Sequence, residues 1–205
     1  MGSSSILDII GSFLVAGLLF LMGLRLNAGA NETTAVYNDN LTLQRNMTSL
    51  VGLLEQDFRR IGYCQNWRKI PDPSKSVRIA EANRLRFLTD INNNGNLDSI
   101  TYYLGPPSEL TSTPNPRDCY LYRQVNAQTP QRINFGVSQF NLRYYDALND
   151  SIQFPITDPR RVFFMEVSVA METAFPYKQE YTNDPSAYQT FWKQIRLVTK
   201  NLRNR

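Results

Sequence analysis

The sequence predicts an α+β protein: a long N-terminal helix, membrane-spanning in its first half and amphipathic in its second, packed on an antiparallel β-sheet domain. Three observations carry that expectation. Ile9 to Leu24 reads without a charge. Leu43, Met47, Leu50, Val51, Leu54, Phe58 and Ile61 recur at steps of one, three and four, the stripe of a helix with one buried face. Beyond Gly62 the texture changes to short alternating runs broken by Pro, Gly and Asn, as in a sheet with one wet face. With 205 residues, 42% of them hydrophobic, the chain holds enough apolar material for an anchor and one cored domain, and not for a second domain. The organisation expected is 1–27 as a transmembrane helix with a short N-terminus, 28–62 as a polar segment and amphipathic helix, and 63–205 as an extracytoplasmic antiparallel β domain.

The apolar segment comes first. Counting Ile6 and Leu7, the run spans about 28 Å as a helix, close to the thickness of a bilayer core. A cleaved signal peptide is the competing reading, with a small-residue site at Asn27-Ala28-Gly29-Ala30. Such peptides begin with a basic region, however, and no Lys or Arg lies between Met1 and Asp8. Asp8 is the one carboxylate at the head of the run. It either sits in the headgroup zone at the positive end of the helix or pairs with a cationic group of a neighbouring subunit. Arg25 follows the run with nothing basic before it, which on charge bias alone places the C-terminal side in the cytoplasm. The cysteines and the character of the domain point the other way. Gly11, Ala16, Gly17 and Gly23 are small enough to let helices approach closely, or are ordinary lipid-facing residues.

Between anchor and stripe lie Gly29 and Asn31 to Asn40, a polar segment where a loosened or broken helix is expected. The amphipathic helix should end near Gly62. Strands are expected at Val77–Ala82, Leu85–Leu88, Ser99–Leu104, Tyr120–Val125, Ile133–Tyr145 and Arg161–Thr173. A closing strand is expected at Phe191–Leu202, followed by a basic tail. Loops are expected at Pro71–Ser76, Pro106–Pro116 and Pro176–Pro185.

Several chemistries are made improbable by composition. There is no histidine, which removes histidine bases, Ser-His-Asp and Cys-His pairs and most zinc sites. No phosphate-binding glycine loop occurs and no acid/base carboxylate pair is visible, so the chain is not expected to be an enzyme. A net charge of +4 is scattered over several Arg pairs without a single patch, which makes nucleic acid a minor candidate partner. The 11 Tyr and 11 Phe concentrate in the strand region, where core packing explains most of them.

Two further features bear on the domain. Cys64 and Cys119 are too few for a zinc site, and a disulfide is the favoured account, worth about 4 kcal/mol in an oxidising compartment; two buried thiols are the alternative. Asp90, Asn92, Asn94, Asn96 and Asp98 alternate oxygen side chains around Gly95, like the first part of an EF-hand loop, which makes calcium the candidate cofactor. Thr101 stands where the closing Glu would be, so affinity should be weak. An Asn-Gly hairpin turn that needs no metal is the alternative.

Taken in order, these parts resemble the type IV pilin and type II secretion pseudopilin superfamily, nearest to its larger minor pilins of the PilW-like or J-type kind. Leu53 to Tyr63 is similar to the end of their long helix. Leu85 to Leu104 is similar to their strand, Asp/Asn-Gly-rich turn and strand, and Leu121-Tyr122-Arg123 and Phe135-Gly136-Val137 to the strands that follow. Ile195 to Asn204 is similar to their last strand. Members usually carry a basic leader and a Gly-Phe-Thr-Leu-Ile-Glu-like processing site, where this chain has Gly2-Ser3-Ser4-Ser5-Ile6-Leu7-Asp8. Asp8 falls one place from the family's acid if cleavage follows Gly2. The resemblance implies a structural subunit of a pilus-like filament or secretion pseudopilus, either processed and methylated at its N-terminus or, given the departure at that site, unprocessed; the alternative is a standalone membrane-tethered extracytoplasmic binding module that takes a ligand or partner on its aromatic sheet face. The subunit's implied partners are other pilin or pseudopilin subunits, an inner-membrane assembly platform and the membrane, with Asp8, Gly11, Ala16, Gly17 and Gly23 in assembly.

Overall fold

The computed structural model describes residues 2–176, 188–198 and 200–202. The expected loop at Pro176–Pro185 falls, beyond Pro176, outside the described residues, as do Thr199 and the tail 203–205. The chain divides into two compact units, Met1–Leu41 and Thr42–Arg205.

One helix, α1, runs Gly2–Arg59. The break expected in the polar stretch is absent: the helix is continuous through it. The Thr33 and Thr34 hydroxyls donate to the Gly29 and Ala30 carbonyls one turn back, both at 2.9 Å, and no proline precedes Pro71 to interrupt the ladder. The helix unwinds after Arg59, and Gly62 takes φ +76°, the left-handed conformation that glycine adopts without strain. Its N–H then donates to the Leu88 carbonyl at 2.9 Å, tying the helix exit to the sheet.

The sheet is an antiparallel meander of seven strands in sequence order: β1 (Val77–Ala80), β2 (Arg84–Thr89), β3 (Asp98–Leu104), β4 (Cys119–Val125), β5 (Gln131–Tyr145), β6 (Phe164–Glu172) and β7 (Thr190–Val198). The alternation that marked them in the sequence is the alternation of their faces. Leu85, Phe87, Ile100, Tyr102, Leu121, Phe140, Leu142, Val167 and Ile195 point to the core, while Arg86, Asn141 and Arg143 between them are exposed. The last expected strand is shorter than its apolar pattern, because Lys200–Leu202 turns into a 3₁₀ helix that folds Leu202 into the core.

Leu43, Met47, Leu50, Leu54, Phe58 and Ile61 of the helical stripe join this core. Phe58 meets the edges of Phe87 and Tyr102, with ring centroids at 5.7 and 5.3 Å. The apolar face of α1 from Thr42 onward is thus covered by the core-facing side of the sheet.

Candidate functional site

Ile6 to Leu26 presents a different surface. Its large apolar side chains are exposed all round, from Leu24 at 50% to Phe13 at 81%. α1 is long and apolar enough here to cross a membrane. Of the assembly candidates, Gly11, Gly17 and Gly23 each have open space where a side chain would extend, and Asp8 and Ala16 are exposed beside them. The Ser12 hydroxyl donates to the Asp8 carbonyl at 2.8 Å, so the backbone of Asp8 belongs to the helix ladder and its carboxylate is exposed.

The second place where functional side chains converge is the C-terminal end of α1. Asp57 is 6% exposed on the core stripe of the helix, three residues from Leu54 and seven from Leu50. Arg123 on β4 donates to it through Nε at 2.7 Å, and the Tyr102 hydroxyl donates to the same oxygen at 2.6 Å. Arg123 Nε also lies 3.1 Å from the Tyr102 oxygen, closing the triad. Burial first, and Asp57 second, push the Tyr102 phenol far above its usual range, so it remains a donor at any physiological pH. Beside the triad a cleft of about 200 Å³ is lined by Gln56, Arg60, Thr89 and Ile100 among others, and the Thr89 hydroxyl is buried there without a hydrogen-bond partner. Sequence reasoning missed the triad. A carboxylate at Asp57, set in register with an apolar stripe, was the signal that could have found it.

One turn further, Arg60 leaves the helix and donates through Nη2 to the Asp90 carbonyl at 2.5 Å and to Asn93 Oδ1 at 2.7 Å. It thereby fastens the candidate metal loop, whose oxygen side chains organise the backbone. Asp90 Oδ2 accepts from the Gly95 and Gln65 N–H groups at 2.9 and 3.2 Å, and Oδ1 from Asn94 N–H at 3.1 Å. Asn92 accepts from Asn94 N–H at 3.3 Å, Asn94 from Asn96 N–H at 2.8 Å, and Asn96 from the Lys69 ammonium. Asp98 accepts from Ile91 N–H at 3.3 Å and the Asn126 amide at 2.8 Å. Burial would raise the Asp90 carboxyl, but the N–H donors of Gln65, Gly95, Asn94 and Asn93 outweigh it and hold it below the usual value. A cation entering this loop has to displace Lys69 from Asn96. The residues do form the expected Asn-Gly turn, with Asn93 at φ 59° and Gly95 at φ 77°.

The disulfide expected between Cys64 and Cys119 is not formed; both are buried free thiols. Strand register explains why. Cys64 approaches Asp90, just past β2, with its sulfur 4.0 Å from Oδ2. Thr89 pairs with Asp98 at the start of β3, whereas Cys119 opens β4 beside the far end of β3, where Leu104 pairs with Leu121. The two positions are separated by the length of β3, about 20 Å, against the roughly 7 Å between Cα atoms that a disulfide tolerates. Burial, and then the neighbouring Asp118, push the Cys119 thiol up, which keeps it protonated and unreactive.

No protein-family model matches the chain, and no curated protein matches it. Fold and site together define a class of protein: an α+β chain with one N-terminal helix long and apolar enough to cross a membrane, whose later turns are built into a seven-stranded antiparallel sheet.

Proposed function

We propose that the chain is a structural subunit of the pilin or pseudopilin kind, anchored in the inner membrane with its sheet domain outside the cytoplasm, which assembles with like subunits through its N-terminal helix. One observation carries the reading. Within a single helix, Leu43 to Phe58 form part of the domain core, while Ile6 to Leu26 have every large apolar side chain at least half exposed. A bilayer satisfies such a surface in the resting subunit, and the same surface on neighbouring copies satisfies it in a filament. Small residues at Gly11, Ala16, Gly17 and Gly23 favour close helix approach in apolar surroundings. On this reading the work of the molecule is packing, not catalysis, and the partners are other pilin-like subunits and a membrane assembly platform.

Asp8 supplies the test. A carboxylate at the head of an apolar helix is costly unless it finds a cationic partner, and a neighbouring subunit's N-terminal amine is a suitable one. Asp8→Ala should abolish cross-linking between copies in native membranes while the circular dichroism of the sheet domain is unchanged. Cross-linking at the wild-type level would remove Asp8 from assembly.

A further inference from the structure

The side of the sheet that faces away from the core carries a row of four side chains set by register across four strands. Arg84 on β2 pairs with Tyr103 on β3, Tyr103 with Tyr122 on β4, and Tyr122 with Arg132 on β5. The two tyrosine rings stack at 4.8 Å with an interplanar angle of 12°. The Arg84 guanidinium lies 5.9 Å over Tyr103, and that of Arg132 lies 5.5 Å over Tyr120, which meets Tyr122 edge-on. Arg86, two residues along β2 and therefore on the same face, is exposed like Arg84 and Arg132. Aromatic rings thus hold the Arg84 and Arg132 guanidinium groups, with backbones about 14 Å apart at three strand spacings.

Arginine outnumbers carboxylate on this row. Among the described residues, Arg84, Arg86 and Arg132 make no salt bridge with a carboxylate. Glu109, the carboxylate that reaches the row, accepts the Tyr122 hydroxyl at 2.5 Å. The corresponding outward row on the other half of the sheet is different: Arg143, Glu166 and Arg196 are cross-strand neighbours, and Arg143 lies 4.0 Å from Glu166. One half of the outer face therefore sets Glu166 between two arginines, while the other sets Arg84, Arg86 and Arg132 against Glu109.

We propose that the outer face of β2–β5 binds the phosphate backbone of a nucleic acid through Arg84, Arg86 and Arg132. A planar guanidinium fixed over a ring offers its N–H fork to a phosphate bidentately. Two such groups about 14 Å apart, with Arg86 two residues from one of them, match a chain of repeated charge better than they match isolated carboxylates on a folded protein. Tyr103 and Tyr122 stack on each other, Arg84 lies over Tyr103, Arg132 lies over Tyr120 and Tyr122 is 7% exposed, so the row offers phosphate contacts ahead of base stacking. Binding is accordingly independent of sequence and strongly dependent on salt. The proposal stands apart from the assembly reading, since it uses none of the N-terminal helix.

The experiment is fluorescence anisotropy of a labelled oligonucleotide with the full chain in non-ionic detergent, over a salt series. Three phosphate contacts give a slope of log affinity against log salt of about −2 to −3. Arg84→Gln, Arg86→Gln and Arg132→Gln should each flatten that slope by about 0.7–0.9, and the triple variant should bind at least about tenfold more weakly at low salt. Arg143→Gln, on the compensated row, should leave affinity and slope unchanged. Absence of binding at low salt, an unchanged slope in the single variants, or equal competition by poly-glutamate at matched charge would each overturn the proposal, the last by showing an acidic polypeptide to be as good a ligand.

Discussion

Two stretches of one helix, Ile6–Leu26 and Leu43–Phe58, differ in what their apolar residues are for. In the first, apolar side chains surround the helix and all are exposed; in the second they keep to one stripe, and Leu50, Leu54 and Phe58 have no exposed surface at all. A helix that is apolar all round needs an apolar solvent or neighbouring helices, whereas a striped one needs a single partner surface. On the proposed reading, the difference separates anchoring from folding along the chain. Substitutions in the first stretch should therefore move the protein between membrane and water without touching the sheet, and substitutions in the second should unfold the sheet without moving the protein.

The largest effect is expected at the one charged residue of the buried stripe. Asp57→Ala leaves Arg123, whose side chain is 14% exposed, without its counter-charge and should cost about 3–5 kcal/mol in denaturant unfolding. Replacing both residues by apolar ones should recover much of that loss, which a simple sum of two lesions would not allow. Leu50→Ala, which opens a cavity at a position with 0% exposure, should cost about 2–5 kcal/mol. Its counterpart in the other stretch, Leu18→Arg, should leave unfolding of the domain unaltered. It should instead weaken membrane insertion by about 2.5–3.5 kcal/mol, read by carbonate extraction and fractionation. If Leu18→Arg destabilises the sheet, the separation of roles fails.

Asp90 gives a smaller, pH-dependent effect. Burial opposes ionisation there, but the N–H groups of Gln65, Gly95, Asn94 and Asn93 outweigh it and hold its folded carboxyl below the usual aspartate value. The charged form therefore contributes stability that is fully present above the unfolded value, about 3.9, and is lost as pH falls through the folded one. Asp90→Asn should lower stability at neutral pH by less than Asp57→Ala does and flatten the acid limb of the stability curve below about pH 4. A parallel downward shift at every pH would mean that the carboxylate's charge plays no part in closing the loop. The free thiols provide the mildest check. Mass spectrometry of the unfolded, unreduced protein should show an alkyl group on both Cys64 and Cys119.

Much of the fold could be read from the sequence because period and burial coincide. The three-and-four spacing of Leu43 to Ile61 became the buried face of α1, and the alternation at Phe140 to Tyr144 became the two faces of β5. Strand ends were displaced by one to four residues, as at Arg161–Phe163 before β6 and at the end of β7, which stops at Val198 and not at Leu202. The polar stretch near Asn31 was misread because polar composition alone does not break a helix, and Thr33 and Thr34 there bond back to carbonyls of the same helix. The cysteine pairing was out of reach for a different reason. It depends on which end of β3 each thiol approaches, and register is a property of the whole sheet. The Asp57–Tyr102–Arg123 triad likewise joins residues 45 and 66 positions apart, which no local pattern connects.

Exchange of residues 6–26 for an unrelated transmembrane helix of equal length tests the central claim most directly, with partner recovery from native membranes as the readout. The account predicts a folded, membrane-bound protein that no longer recovers pilin-like partners, because the bilayer accepts any apolar helix whereas assembly needs this one. Recovery of the same partners by the exchanged protein would contradict it and assign the interaction to the sheet domain, with the helix serving as a tether.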